Sequence, residues 1–285
     1  MTITTTSLVR APNARITADN GITYTYRRFG RVGSGVPVVF LQHFRGNMDN
    51  WDPALIDPIA SDREVIVFDN TGIGGTTGVT PSTIEEMADD AAEFMAALKL
   101  DEVDLFGYSI GGFIAQQLAL TRPDLVRRLV LAGTGPKGAP GMESWRQDVV
   151  DGVVVDETSP EGVLHVFYSP SESSRSAGHA ALGRIFQRHD GRDAMPSIES
   201  KNAQYEAVKN WGVPDWEAVE RISHISQPTL ILQGDDDIMI PTSASHLMAG
   251  LIPDSRITIY PDASHGSIFQ YAADASRRTL TFLNG

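Results

Sequence analysis

The chain has 285 residues, 41% of them hydrophobic, and carries 36 acidic against 23 basic side chains for a formal net charge of −13, with no cysteine. That length and apolar content suffice for a large buried core and exclude global disorder, while the acidic balance argues against a nucleic-acid partner, whose phosphates call for clustered Lys and Arg. Without cysteine there is no disulfide, thiolate metal site or thiol nucleophile, a composition that fits a reducing cytoplasm.

The amino-terminal stretch MTITTTSLVRAPNARITADNG has neither a basic flank with an apolar h-region nor a small-residue cleavage site, so no secretion signal is expected. Nowhere do about 18 apolar residues run together, so no membrane span is expected. The segment ITYTYRRF (Ile22 to Phe29) alternates in polarity and predicts an early antiparallel strand. VPVVFLQ and EVIVFD are nearly continuous apolar runs, as strands covered on both faces should be, and are expected at the centre of a sheet. Ser82, three residues ahead of Glu85, predicts a capping box opening a helix through MADDAAEFMAALKL. Within it Ile84, Met87, Ala91, Phe94, Met95 and Leu98 recur at helical spacing, as core packing. VDLF reads as the next strand, FIAQQLAL as an apolar helix and LVRRLVLAG as a further strand. From about residue 138 to 225, Gly, Pro, Ser and aromatic residues are scattered without a strand pattern. QPTLILQG then restores a buried strand, followed by a helix (SASHLMAGLI), a strand (RITIY) and a closing helix (SIFQYAADASRRTLTFL). Strands alternating with helices predict an α/β fold with a mainly parallel, doubly wound sheet. Its core is expected over 1–137 and 226–285, with 138–225 inserted.

Ser109 sits between Gly107 and Gly111 where the VDLF strand turns into the following helix. A serine on so tight a turn adopts an unfavourable backbone conformation and brings neighbouring chain too close for side chains, a crowding the two glycines would relieve. Its hydroxyl would stand at the carboxyl edge of the sheet, with the Ile110 amide at a helix amino terminus where a developing oxyanion is stabilised. Read alone, the same pattern also suits a helix-capping serine beside flexible glycines. A serine nucleophile needs a general base, itself oriented by a carboxylate. Candidates follow later strands: Asp235, Asp236 and Asp237 after TLILQ, and His265 after RITIY, both at the edge where Ser109 is expected. His165, His179, His189, His224 and His246 fall in the insertion or on helical patterns and read as structural or surface residues.

Outside the insertion, the chain resembles the α/β-hydrolase superfamily, in its serine esterase and cofactor-free haloperoxidase-like branch, with nucleophile, acid and histidine in that family's chain order. The family's acid commonly lies three residues after a glycine and four before a proline, which implies Asp237 rather than Asp235 or Asp236, and His265 resembles the family's base. After the strand VPVVFLQ the family usually has His-Gly-x, the third residue lending its amide to the oxyanion hole. Here Gln42 and His43 stand at the first two positions, so the resemblance implies the Phe44 amide as partner to that of Ile110, and His43 is expected to pack and hydrogen-bond under the loop. Trp51 resembles a packing tryptophan of this loop. FDNTGIGGTTG resembles a segment in which Asp69 fixes loops beneath the site while Gly72, Gly74 and Gly75 make a tight turn. It lacks the lysine of a phosphate-binding loop. The insertion takes the place of the family's helical cap, and its Trp145, Phe167, Tyr168, Phe186, Tyr205, Trp211 and Trp216 would wall an apolar small-molecule pocket over Ser109.

The resemblance thus implies a serine hydrolase acting on a small, largely apolar ester, with no metal, no organic cofactor, no nucleic acid and no membrane partner. Carbon–carbon bond hydrolysis, lactonase or perhydrolase (haloperoxidase) chemistry on the same triad is an alternative. A slow-turnover ligand sensor is an alternative of another class.

Overall fold

The computed structural model describes residues 2–3 and 6–285. Its elements run β1 (Thr2–Ile3), β2 (Ala14–Thr17), β3 (Thr23–Val32), β4 (Val38–Leu41), α1 (Pro53–Asp62), β5 (Glu64–Phe68), α2 (Ile84–Ala97), β6 (Val103–Tyr108), α3 (Ile110–Thr121) and β7 (Val126–Ala132). Then come α4 (Gln147–Val153), α5 (Pro160–Phe167), α6 (Glu172–Ile185), α7 (Ile198–Gly212), α8 (Trp216–Glu220), β8 (Thr229–Gly234), α9 (Thr242–Leu251), β9 (Ser255–Tyr260), α10 (Ser267–Gln270) and α11 (Ala272–Asn284). The strands form one sheet in the order β1-β3-β5-β4-β6-β7-β8-β9, with β2 paired to β3. From β5 to β9 every pairing is parallel, whereas β3 runs antiparallel to β1, β2 and β5.

The apolar runs account for this layout. Every residue of β4, β5, β6 and β8 is buried, as strands sandwiched between helix layers must be, while β9 at the edge is mostly half-buried. ITYTYRRF is the core of β3 and antiparallel, as its alternation predicts. Helix α3 is buried continuously from Ile110 to Ala119, so it is a core helix enclosed on all sides. One cap is displaced from its predicted place. Thr83, not Ser82, opens α2, and its side chain accepts from the Glu86 amide at 3.3 Å and pairs with the Glu86 carboxylate at 2.8 Å. Two overlapping Ser/Thr-x-x-Glu patterns compete here, and Thr83 as cap puts Ile84, Met87, Ala91, Phe94 and Met95 on the buried face. The closing segment is likewise two helices, interrupted at Tyr271. Between β7 and β8 the chain is helical, from α4 to α8. Among the described residues no helix is long and apolar enough to cross a membrane.

Candidate active site

Ser109 follows β6 directly and precedes α3, with φ 56° and ψ −120°, a conformation non-glycine residues rarely adopt. Packing over-determines it. A Cβ on Gly107 would lie 2.5 Å from the Gly111 carbonyl oxygen, and one on Gly111 would collide with the Leu41 carbonyl, so strand β4, helix α3 and the turn meet backbone to backbone. The Ser109 amide donates to Ala132 O at 2.9 Å, and its carbonyl accepts from Gly112 N at 2.8 Å and from Thr134 Oγ1 at 2.9 Å. Its side chain makes no helix-capping hydrogen bond. The capping interpretation therefore finds no support, and the hydroxyl faces a cavity.

Asp237 lies on the loop after β8. Its Oδ1 accepts from Met239 N at 2.8 Å and Ile240 N at 2.9 Å, and its Oδ2 accepts from Gln233 Nε2 at 3.1 Å and His265 Nδ1 at 2.8 Å. Four donors converge on one buried carboxylate and leave it little freedom to turn. Asp235 and Asp236 are exposed. His265, on the loop after β9, is 1% exposed, and its Nε2 has no hydrogen-bond partner among the described residues. Because Asp237 Oδ2 accepts, Nδ1 carries the proton and Nε2 presents a lone pair when the ring is neutral. Tyr108, the residue before the serine, donates its hydroxyl to His265 O at 2.8 Å and stacks on the imidazole at 5.2 Å between ring centroids. His165, His179, His189, His224 and His246 lie away from this place, and His165 pairs on the surface with Asp148 at 3.0 Å.

Ser109 and His265 line one cavity of about 310 Å³, within the size range of small-molecule sites. No hydrogen bond joins Ser109 Oγ to His265 Nε2 among the described residues, a looseness common in unliganded sites. The walls are mostly apolar: Phe44, Phe269 and Met239 come from the core and Val153, Val163, Phe167, Leu182, Ile185, Phe186 and Met195 from the helical segment. Of the seven aromatic residues expected over Ser109, Phe167, Tyr168 and Phe186 line the cavity. The others do not. Trp145 and Tyr205 pack on the Phe44 ring at 5.4 and 6.3 Å, Trp211 stacks on Phe113 of α3 at 5.0 Å, and Trp216 is 62% exposed. Three of the seven thus line the cavity, three pack on aromatic rings without lining it and one faces solvent.

The loop after β4 shows how Gln42 and His43 fit where the family has His-Gly. Gln42 reaches forward, donating from Nε2 to Asn47 O at 3.0 Å and accepting from its neighbour's amide, His43 N, at 2.8 Å. His43 has no positive φ, and its Nδ1 must be the donor to Phe44 O at 2.8 Å, since a carbonyl only accepts. The ring packs edge-on against Tyr108 at 5.3 Å and Phe167 at 5.4 Å and forms part of the cavity wall. The Phe44 amide has no hydrogen-bond acceptor in the described protein. The Ile110 amide opens α3 and so has no intrahelical acceptor. Ile110 itself does not line the cavity; its side chain is fully buried.

Burial, aided by the neighbouring His265 and opposed by the Phe44 carbonyl, pulls the His43 imidazole from 6.5 down to about 4. In the unfolded chain it protonates near the ordinary value, so the fold is favoured fully above pH 6.5 and loses that advantage as pH falls toward 4. The expected result is a wild-type Tm that drops more steeply between pH 6.5 and 4.5 than that of His43→Phe. The difference in unfolding free energy behind it has an upper bound of about 3 kcal/mol, since the ring is only half-buried in the cavity wall, and is read from thermal scans in matched buffers; parallel slopes would refute it.

Asp69 sits beneath the loops, accepting from Met48 N at 2.8 Å and Gly75 N at 3.2 Å, the bracing predicted for it. Gly72 and Gly74 have φ 73° and 53°. Burial first, and then the nearby Asp193 carboxylate, raise the Asp69 carboxyl above the usual range. Trp51 is a buried core residue, 1% exposed. Among the described residues no cluster of three or more His, Asp or Glu side chains is arranged to hold a metal ion.

Residues 36–271 match the family model described as alpha/beta hydrolase fold. Among solved structures, the chain is similar to an alpha/beta hydrolase fold protein from Chitinophaga pinensis, with a TM-score of 0.91 and 36% identity over 98% of this chain and 99% of that one. Among characterised sequences it is 28% identical to a non-heme haloperoxidase of Rhodococcus erythropolis, over 94% of this chain and 98% of that protein. It is 29% identical to a poly(3-hydroxyalkanoate) depolymerase of Ectopseudomonas oleovorans, over 79% and 77% respectively.

Proposed function

Because the chain belongs to the α/β-hydrolase fold family, we propose that this hydrolase cleaves a small, largely apolar carboxylic ester through an acyl-enzyme on Ser109. The observation that carries the reading is the Asp237–His265 hydrogen bond of 2.8 Å, whose imidazole shares a cavity with a serine held at φ 56°. Ser109 Oγ attacks the acyl carbon while His265 Nε2 takes the hydroxyl proton. Asp237 holds the Nδ1–H tautomer and stabilises the imidazolium. The carbonyl oxygen, now an oxyanion, is received by the amides of Phe44 and Ile110; each such donor is worth about 10²–10³ in turnover. Collapse breaks the ester C–O bond, and the leaving alkoxide departs with the proton from His265. A water molecule, deprotonated in turn by Nε2, attacks the acyl-enzyme, releasing the acid and restoring Ser109.

Residues 138–225 act in this scheme as a cap, supported by the apolar side chains that α4, α5, α6 and the following loop contribute to the cavity. Such walls favour an acyl group without charge. A p-nitrophenyl ester series from acetate to decanoate tests the proposal. The expected result is a burst followed by sustained turnover, with kcat/KM rising with acyl length until the cavity is filled, and a fluorophosphonate adduct mapped by mass spectrometry to the peptide containing Ser109. One equivalent of p-nitrophenol followed by silence would make the protein a ligand sensor instead. The similarity to a haloperoxidase favours a second reading, in which hydrogen peroxide replaces water and the acyl-enzyme leaves as a peracid. The same esters with added peroxide, assayed for peracid, separate the two.

A further inference from the structure

The residue after Phe44 is Arg45, 7% exposed and held at φ 61°. A non-glycine residue in this region costs about 1–2 kcal/mol, so something must hold it there. The holding groups come from the cap. The Arg45 amide donates to Gln204 Oε1 on α7 at 2.8 Å. Its guanidinium spans the carboxyl end of α4, Nη1 donating to Val153 O at 3.2 Å and to Val155 O, and Nη2 to Asp156 O at 3.0 Å. Val153 O is a carbonyl that the helix end leaves unpaired, at its negative pole, and Val155 and Asp156 follow in the chain just past the helix. The Phe44 ring is likewise packed on the cap residues Trp145 and Tyr205. On the core side, the loop tip is held by the His43 Nδ1 bond to Phe44 O.

We propose that Arg45 is a positioning residue through which the cap sets the oxyanion hole, so that the Phe44 amide takes its working place only when the cap is seated. This rests on the reading of Phe44 and Ile110 as oxyanion donors. The backbone linkage supplies the mechanism. Release of Arg45 from its left-handed conformation turns the Phe44–Arg45 peptide, whose carbonyl His43 Nδ1 holds, and through the Phe44 Cα this shifts the adjoining His43–Phe44 peptide that carries the Phe44 N–H. A displacement of about 1 Å at a reacting centre can cost about 10²-fold.

The discriminating substrate is p-nitrophenyl acetate, whose acyl group is too small to need the cap walls. Arg45→Gly removes the guanidinium while tolerating the positive φ. It is expected to lower kcat on the acetate ester by about 10- to 100-fold with KM within about twofold, and to weaken binding of phenylboronic acid, a tetrahedral mimic, by a similar factor. Arg45→Lys, which can still reach one carbonyl, recovers part of the loss. Gln204→Leu frees the Arg45 amide without emptying its site and moves kcat the same way by about 5- to 10-fold, which keeps the test open should Arg45→Gly fold poorly. Wild-type kcat on acetate in Arg45→Gly and Gln204→Leu, or losses confined to KM for long acyl esters, would reduce Arg45 to a seat for the cap wall and overturn the inference. Absence of Ser109-dependent turnover in the wild type would instead remove the ester-hydrolase reading, and this inference along with it.

Discussion

Alanine at position 109 is expected to lower kcat on an activated ester by about 10⁶, the scale on which removal of a serine nucleophile acts when the base and carboxylate are left in place, and to abolish fluorophosphonate labelling. The fold should survive, because the Ser109 side chain makes no capping bond and its backbone contacts to Ala132, Gly112 and Thr134 do not involve the hydroxyl. The variant should therefore melt within a few degrees of the wild type and still bind the intact ester. Steady-state assay, labelling and a thermal scan on one preparation check all three. Undiminished labelling in a folded Ser109→Ala protein would mean that another residue carries the chemistry. A collapse of Tm would instead show that the turn depends on the hydroxyl in a way its hydrogen bonds do not reveal.

Asparagine in place of Asp237 should cost about 10⁴ in kcat by a different route. The amide oxygen can keep the bonds from Met239 N and Ile240 N, but an NH₂ then faces two donors, Gln233 Nε2 and His265 Nδ1–H. The imidazole relieves this by moving its proton to Nε2, the atom that must be bare to accept from Ser109. The wrong tautomer stops catalysis while the side-chain shape is unchanged. Gln233 is then left short of an acceptor in a buried place, a loss of about 1–3 kcal/mol that should appear as a modest fall in Tm. Asp235→Asn and Asp236→Asn, both at exposed positions, should stay within about twofold of wild type by the usual indifference of surface sites. Equal losses at the three aspartates would refute the assignment.

What could be read from the chain depends on how local each cause is. The central strands were legible because a strand covered on both faces has no alternative to a continuous apolar run, and β4 and β5 are buried at every residue. Ser109 was legible because its turn demands Gly107 and Gly111 within two positions. The Thr83 cap was missed by one residue because adjacent Ser82 and Thr83 each stand three positions before a glutamate, and only packing chooses between them. Which aromatic residues of 138–225 line the pocket was not legible: a tryptophan such as Trp211 carries no local mark of whether it will meet a ligand or the Phe113 ring. Arg45 and Gln204 were invisible for a further reason. The partners of Arg45 lie 108 to 159 positions away, and no periodicity or spacing records a contact made across the body of the protein.

The bond from the Tyr108 hydroxyl to the His265 carbonyl joins two stretches of chain that lie 157 positions apart. Tyr108 adjoins the serine, so the strand that carries the hydroxyl also anchors the backbone of the imidazole, and the two share one mechanical reference. Anyone grafting this arrangement onto another scaffold would need to transplant the tyrosine with it, since the serine and histidine copied alone would inherit the error of two independent supports.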